Sequence, residues 1–279
     1  MDLAPWALAF AVLDWPERRK AEAWAALQAG AEPVLAAEQA ADLARVAADL
    51  PRRRQEARER GARLLLPGEE GVDALLAPLP YPVALWVRGS LPPATGPRLA
   101  LVGSREASRR GRERTRAWAR ALAEAGVAVL SGLARGIDAA AHEGALAAGR
   151  PTWGVLGSGL DHPYPPEHAP LMARMAASGG GVLTPFPPEA PPRKWHFPRR
   201  NWLLAAWTEG VLVTEARLRS GSLVTARLAL DLGKELWVCP GSPEDPSSEG
   251  PNFLLREGAA RICLSPEGLL EDLAAARVP

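Results

Sequence analysis

The sequence predicts an α/β fold: a doubly wound, mostly parallel sheet with a small N-terminal helical domain. Two observations carry that reading. From Leu99 onward, apolar runs of four or five residues alternate with longer segments of helical character. Runs that short suit strands buried on both faces. Glycine then follows several of the longer segments, at Gly126, Gly149 and Gly233, where a helix ends on a left-handed residue. Regular alternation of strand and helix is the pattern of a Rossmann-like sheet covered on both faces.

Taken in order, residues 1–60 read as short helices. Trp6, Phe10 and Leu13 repeat at helical spacing, a second segment runs from near Pro16 to Gly30, and an alanine-rich third covers 38–50. Pro51-Arg52-Arg53-Arg54 opens a charged segment that stops at Gly61. That arginine run reads as a solvated helix face, with phosphate contact as the alternative. From Ala62 the pattern changes. Residues 63–66 and 83–87 are strand-like, with a helical turn at 72–76 between them. Leu91-Pro92-Pro93-Ala94-Thr95-Gly96-Pro97 then sets off the main fold.

The main strands are expected at 99–102, 127–130, 152–156, 181–184, 211–214, 236–239 and 260–263. Helices are expected at 108–125, 136–148, 166–177, 201–207, 221–232 and 266–276. Ser265-Pro266 is a cap followed by proline at the first helical position. The domain boundary is expected at residue 60, giving a helical domain over 1–60 and a Rossmann-like domain over 61–279.

Composition excludes several classes of protein. With 47% apolar residues among 279, the chain has ample material for a core. A net charge of +1 provides no global basic field, so any claim for nucleic acid must rest on local clusters. Cys239 and Cys263 match no metal or redox spacing and fit a reducing cytoplasm as buried thiols. Asp2 stands where a signal peptide needs positive charge, and no apolar run is long enough to span a membrane. A soluble, intracellular protein is the expectation.

In doubly wound sheets ligands sit outside the carboxyl ends of the strands. Those ends carry Gly103-Ser104-Arg105; Ser131-Gly132-Leu133-Ala134-Arg135-Gly136-Ile137-Asp138; Gly157-Ser158-Gly159; Glu215-Ala216 leading to Ser220-Gly221-Ser222; and Pro240-Gly241-Ser242. Gly103-Ser104-Arg105 ends a strand and precedes Ser108, the expected cap of the next helix, so a phosphate held by free amides, helix dipole and arginine is the expected ligand. No dinucleotide fingerprint or Walker sequence is present. No paired carboxylates, Ser-His-acid set or cysteine nucleophile assembles, so catalytic residues, metal ligands and cofactors are all expected to be none. His142 reads as a packed histidine, and Asp138 as a turn brace or cap. Arg109, Arg112, Arg116 and Arg120 read mainly as a solvated helix face. A sharper feature is Arg193-Lys194-Trp195-His196-Phe197-Pro198-Arg199-Arg200-Asn201, which mixes cations and aromatics in a proline-bounded loop. Single-stranded nucleic acid is held by that mixture, with cations on phosphates and rings on bases. Packing of Trp195 and Phe197 into the core is the alternative.

These blocks together resemble the DNA-processing protein A family (DprA, also called Smf). The resemblance rests on Val102-Gly103-Ser104-Arg105; the Ser131–Asp138 block with Ala141-His142; Gly157-Ser158-Gly159-Leu160-Asp161 with Tyr164-Pro165; Phe197-Pro198-Arg199-Arg200-Asn201; Glu215-Ala216 with Ser220–Ala226; and Pro240-Gly241 with Gly250, Asn252, Gly258 and Ala259. It implies a cytoplasmic protein that binds single-stranded DNA during natural transformation. It also implies interaction with the recombinase RecA, which it helps to load, and a homodimer formed through the Rossmann-like domain. Carried over by position, the DNA site comprises Gly103, Ser104, Arg105, Gly132, Lys194, Phe197, Arg199, Arg200 and Asn201. Trp202 departs from the arginine usual after that asparagine, and Leu183-Thr184-Pro185-Phe186 stands where Ser-Glu is common. Many members continue into a winged-helix-like domain; this sequence stops at Pro279. One rival is a nucleotide-cleaving phosphoribohydrolase-like enzyme on a related fold. Its Pro-Gly-Gly-x-Gly-Thr-x-x-Glu motif has only Arg219–Thr225 as a counterpart here, without the glutamate. The other is a structural adaptor with a vestigial crevice.

Overall fold

A computed structural model describes residues 4–275 except 14, 16, 30–32, 34, 36, 70, 77–80 and 82. Asp2, Pro16, Gly30 and Ala276, used in the sequence reading, lie outside the described residues. Three helices come first: α1 (Ala4–Val12), α2 (Glu17–Gln28) and α3 (Ala37–Glu59). The chain continues through β1 (Arg63–Leu65), the short α4 (Asp73–Leu76), β2 (Leu85–Gly89), β3 (Arg98–Val102), α5 (Arg109–Glu124), β4 (Ala128–Ser131) and α6 (Ile137–Ala147). It then forms β5 (Thr152–Val155), α7 (Ala169–Ala177), β6 (Gly181–Thr184), α8 (His196–Ala206), β7 (Gly210–Val213) and α9 (Gly221–Asp231). Last come β8 (Glu235–Val238), α10 (Glu249–Arg256), β9 (Arg261–Ile262) and α11 (Pro266–Ala275).

The nine strands of the described residues form one sheet in the order β1-β2-β6-β5-β4-β3-β7-β8-β9. β1 and β2 enter antiparallel at one edge, and the other seven strands run parallel. Register is set by burial on both faces. Ala100 and Val102 of β3 enter one core cluster while Leu99 and Leu101 enter another, all at 3 % exposure or less. From β3 the chain winds outward to β6, then crosses back to place β7 on β3's other side. The order therefore reverses between β3 and β7, and a crevice opens at the carboxyl ends of strands at such a point. α8 lies in that return crossing.

Three boundaries differ from the sequence reading for physical reasons. α3 runs unbroken through Pro51, where a new segment was expected to begin. Arg52 and Arg53 both reach back to Asp49 (2.6 and 3.0 Å) and Arg52 forward to Glu56 (2.5 Å), which ties the two sides of the proline together. α8 starts at His196 rather than Asn201, so two thirds of the expected loop is helical. Pro198 is tolerated because it sits in the first turn, where its absent N–H has no intrahelical partner to lose. Residues 166–168 form a separate 3-10 turn before α7. Several strands also shift by one or two residues, β2 to Leu85–Gly89 and β4 to Ala128–Ser131 among them.

The first helices pack on the sheet's aromatic flank. Residues 6–10 of α1 are all buried. Phe10 meets Trp6, Trp15 and Tyr81 with centroids 5.9, 6.1 and 5.5 Å away. The arginine stripe of α5 is largely paired: Arg109 with Glu113 (2.8 Å), Arg120 with Glu124 (2.8 Å), and Arg116 with Glu143 of α6. Among the described residues no helix is long and apolar enough to cross a membrane. Cys239 and Cys263 are both buried and unbridged, and burial pushes their thiols up to about 11 and about 12.

Candidate functional site

A cleft of about 410 Å³ opens at the β3–β7 switch point. One wall is the turn after β3. Gly103 is required there, because a Cβ would lie 2.5 Å from Ile137 Cγ1 and 2.7 Å from the Glu215 carbonyl. The Ser104 amide donates to the Glu215 carbonyl (2.7 Å), and the Ser104 carbonyl accepts from the Ile137 amide (3.2 Å). Gly136, at φ +76°, permits that contact, since a Cβ would meet the Ser104 oxygen at 2.2 Å.

The helix after this turn differs from expectation. Ser108 does cap α5, accepting the Gly111 amide at 2.8 Å. The carboxylate of Glu215, only 6 % exposed, lies at the same N-terminus. It accepts the Ser108 amide (2.9 Å) and hydroxyl (2.7 Å), and Gly111 has no side chain where a Cβ would lie 2.2 Å from it. A buried carboxylate thus already lies at the α5 N-terminus, where the sequence reading expected an external phosphate. Arg105 stays exposed at the mouth of the cleft.

The floor comes from β4, β5 and α8. Arg200 passes beneath Gly132, whose missing Cβ would sit 1.7 Å from Nη1, and donates to the Val155 carbonyl at 3.0 Å. Burial pulls its guanidinium down to about 10, while the facing Asp138 raises it and Arg105 lowers it further. Burial in turn pushes the Asp138 carboxyl up, opposed by Arg200 and by the amides of Ala134 and Gly103. Asn201 donates to the Gly221 carbonyl (3.3 Å), tying α8 to the start of α9. Phe197 rests over Gly157, with the Arg105 guanidinium 5.3 Å from its ring centre and Tyr164 5.6 Å away on a tilted approach.

Seven of the nine candidate residues therefore line one cleft: Gly103, Ser104, Arg105, Gly132, Phe197, Arg200 and Asn201. Lys194 is exposed on the segment leading into α8 and is not among the lining residues. Arg199 faces the other way. It donates to the Phe10 carbonyl (3.3 Å) and lies over the rings of Tyr81 and Phe186. Helical geometry accounts for the split: Phe197, Arg200, Asn201 and Leu204 follow the three-and-four spacing of one helix face, which leaves Arg199 on another. The sequence reading missed Arg217 and Arg219, which line the cleft beside the Ser220-Gly221-Ser222 turn.

The remaining candidates are structural. His142 is fully buried, its Nδ1 hydrogen-bonded to Thr152 Oγ1 at 2.8 Å. Because that hydroxyl donates to the Val129 carbonyl, Nδ1 carries the proton. Burial pushes this imidazole down to about 3. His196 stacks on Phe186 at 3.8 Å, and burial pushes it down to about 4. Trp195 is 47 % exposed, so it does not fill the core. Among the described residues no cluster of histidine, cysteine and carboxylate is placed to hold a metal ion.

Glycine turns, arginines and one aromatic ring lining a cleft at the switch point of a parallel sheet define a Rossmann-like protein with a basic cleft. The comparisons sharpen that class. The family model described as DNA recombination-mediator protein A matches residues 73–274, and the chain belongs to that family. Protein Smf of Escherichia coli K12 is 46% identical over 199 residues, 71% of this chain and 53% of that protein. DNA processing protein DprA of Bacillus subtilis is 36% identical over 193 residues, 69% of this chain and 64% of that one. The chain thus spans between half and two thirds of these relatives' length. Among solved structures, DprA of Streptococcus pneumoniae superposes with a TM-score of 0.80 at 29% identity, over 97% of this chain and 98% of that one. A structure of DNA processing protein A from Helicobacter pylori, described for its single-stranded DNA binding mode, gives 0.68 at 28% identity over 77% and 96%. The doubly wound, mostly parallel sheet preceded by helices is the architecture the sequence predicts.

Proposed function

We propose that the cleft holds single-stranded DNA and that the protein acts in natural transformation without a chemical step, helping to load RecA onto the strand. The observation that carries this reading is the meeting of Phe197, Arg200 and Asn201, on one face of α8, with the Gly103-Ser104-Arg105 turn. A ring for a base thus stands beside an exposed cation for a phosphate, the combination that single strands require. Membership of the family and the single-strand binding described for the Helicobacter pylori protein support it. Lys194, exposed one turn before Phe197, reaches a neighbouring phosphate. Arg199 belongs to the same interface only through the position of α8. The protein works in the cytoplasm and as a homodimer through the Rossmann-like domain, which holds two strand segments and gains by avidity. Residues 1–60 form a helical domain that braces the site from behind α8, and residues 61–279 form the DNA-binding domain.

Salt titration of fluorescent oligonucleotides tests this reading. With about four phosphates neutralised, log affinity for single strands falls with log salt at a slope near −3, at about −0.7 per phosphate. Duplex DNA binds less well, because paired bases cannot reach Phe197. Equal affinity for both forms, or a flat salt response, overturns the proposal. Release of free base from nucleoside monophosphates would favour the phosphoribohydrolase-like alternative instead.

A further inference from the structure

We propose, resting on the strand-binding reading above, that Trp195 is a second base-stacking platform outside the cleft, on the far side of α8 from Phe197. Trp195 is not among the cleft's lining residues. Its backbone is already helical (φ −75°, ψ −14°). Residues two apart on a helix lie about 200° round the axis and so project to opposite sides. Trp195 accordingly shares a face with Arg199. The Trp195 ring centre and the Arg199 guanidinium each lie 5.8 Å from the Phe186 ring centre.

The indole has the marks of a binding surface. It is 47 % exposed, although a ring of that size gains by burial. Phe186 and His196 hold it nearly perpendicular to their own rings, at 79° and 85°, and among the described residues no ring lies parallel to it. Arg193 and Lys194 precede it, both exposed, and no carboxylate among the described residues pairs with either. Residues 185–195 link β6 to α8, so the ring stands at the carboxyl ends of the parallel strands, the edge on which the cleft opens. Continuing the same winding back by one residue places Lys194 between the two rings, about 60° round from Phe197 and about 100° from Trp195. A strand that leaves Phe197 and rounds the start of α8 therefore meets ring, cation and ring, the order in which it presents base, phosphate and base. Aromatic faces accept bases of any identity, and neighbouring cations hold the backbone between them.

The test compares Trp195→Leu with Trp195→Phe, using oligothymidine and an abasic strand of the same length as probes. Leucine keeps an apolar side chain against Phe186, and an unchanged Tm verifies the fold. Trp195→Leu lowers oligothymidine affinity about tenfold, within the range of one lost base stack, and leaves the salt slope as it is because no phosphate contact is removed. Trp195→Phe, which retains an aromatic face, restores most of that affinity. The abasic strand offers the same phosphates without bases, and its affinity is the same for all three proteins. Wild-type oligothymidine affinity in Trp195→Leu, together with a weakened Phe197→Ala, overturns the platform while strand binding in the cleft stands; the exposed ring is then free for a protein contact. Equal losses in the Leu and Phe variants with a lowered Tm also overturn it, since packing against Phe186 then accounts for the effect. A wild type that binds no oligothymidine removes both the platform and the strand-binding reading.

Discussion

Glu215 closes the N-terminus of α5 by accepting both the amide and the hydroxyl of Ser108, at 2.9 and 2.7 Å. The contact joins the turn after β3 to the turn after β7, the two strands between which the sheet changes direction. It is therefore a structural clasp at the base of the cleft.

Loss of that clasp lowers stability. Glu215→Ala leaves the Ser108 amide and hydroxyl without their acceptor and costs about 2–3 kcal/mol in urea unfolding. Gly111→Ala, which adds about 1 kcal/mol of helix propensity elsewhere, also destabilises here because its Cβ meets the Glu215 carboxylate. A stabilised Gly111→Ala protein would refute the clasp.

On the proposed strand-binding function, Phe197 and Arg105 are expected to contribute in different ways. Phe197→Ala costs about 1–3 kcal/mol of affinity and leaves the salt slope unchanged, as expected for lost stacking. Arg105→Ala weakens binding and also makes the slope shallower by about 0.7, one phosphate's worth. Anisotropy titrations at several salt concentrations separate the two, and identical slopes in all three proteins would remove Arg105 from phosphate contact.

Lys194 and Arg199 divide in the same way. Lys194→Ala reduces affinity without changing Tm, since the side chain is exposed. Arg199→Ala lowers Tm, because its guanidinium joins α8 to the Phe10 carbonyl and to Tyr81. A normal Tm with a shallower salt slope in Arg199→Ala would instead place it on the strand.

Acid sensitivity follows from His142. Its folded-state value is pushed down to about 3, against 6.5 in the unfolded chain. Stability from this residue is therefore complete above pH 6.5. It is lost as pH falls toward 3, because the unfolded chain takes up a proton that the folded protein refuses. The slope is about 1.4 kcal/mol per pH unit. His142→Asn, which keeps a donor toward Thr152, has a shallower acid limb between pH 6.5 and 4.5. Parallel limbs for the two proteins would show that His142 titrates normally.

Much of this architecture is legible in short signals. The apolar run 99–102, the glycine after it and the Ser108 cap locate β3, its turn and α5, because each depends on neighbours in sequence. The content of the cleft is less legible. Reading 193–201 as a loop put Arg199 and Arg200 side by side in one site, whereas helix periodicity puts Arg200 under the cleft and Arg199 behind it. The hundred-residue reach from Ser108 to Glu215 is a tertiary contact with no local trace, so the α5 N-terminus looked vacant. Arg217 and Arg219 were overlooked because they lie before, not within, the Gly/Ser turn.

α8 is a single rod shared between two surfaces. Its Phe197 side borders the cleft and its Arg199 side bears on α1. A helix turns as one body, so a roll of α8 that moved Phe197 would also draw Arg199 away from the Phe10 carbonyl and the Tyr81 ring.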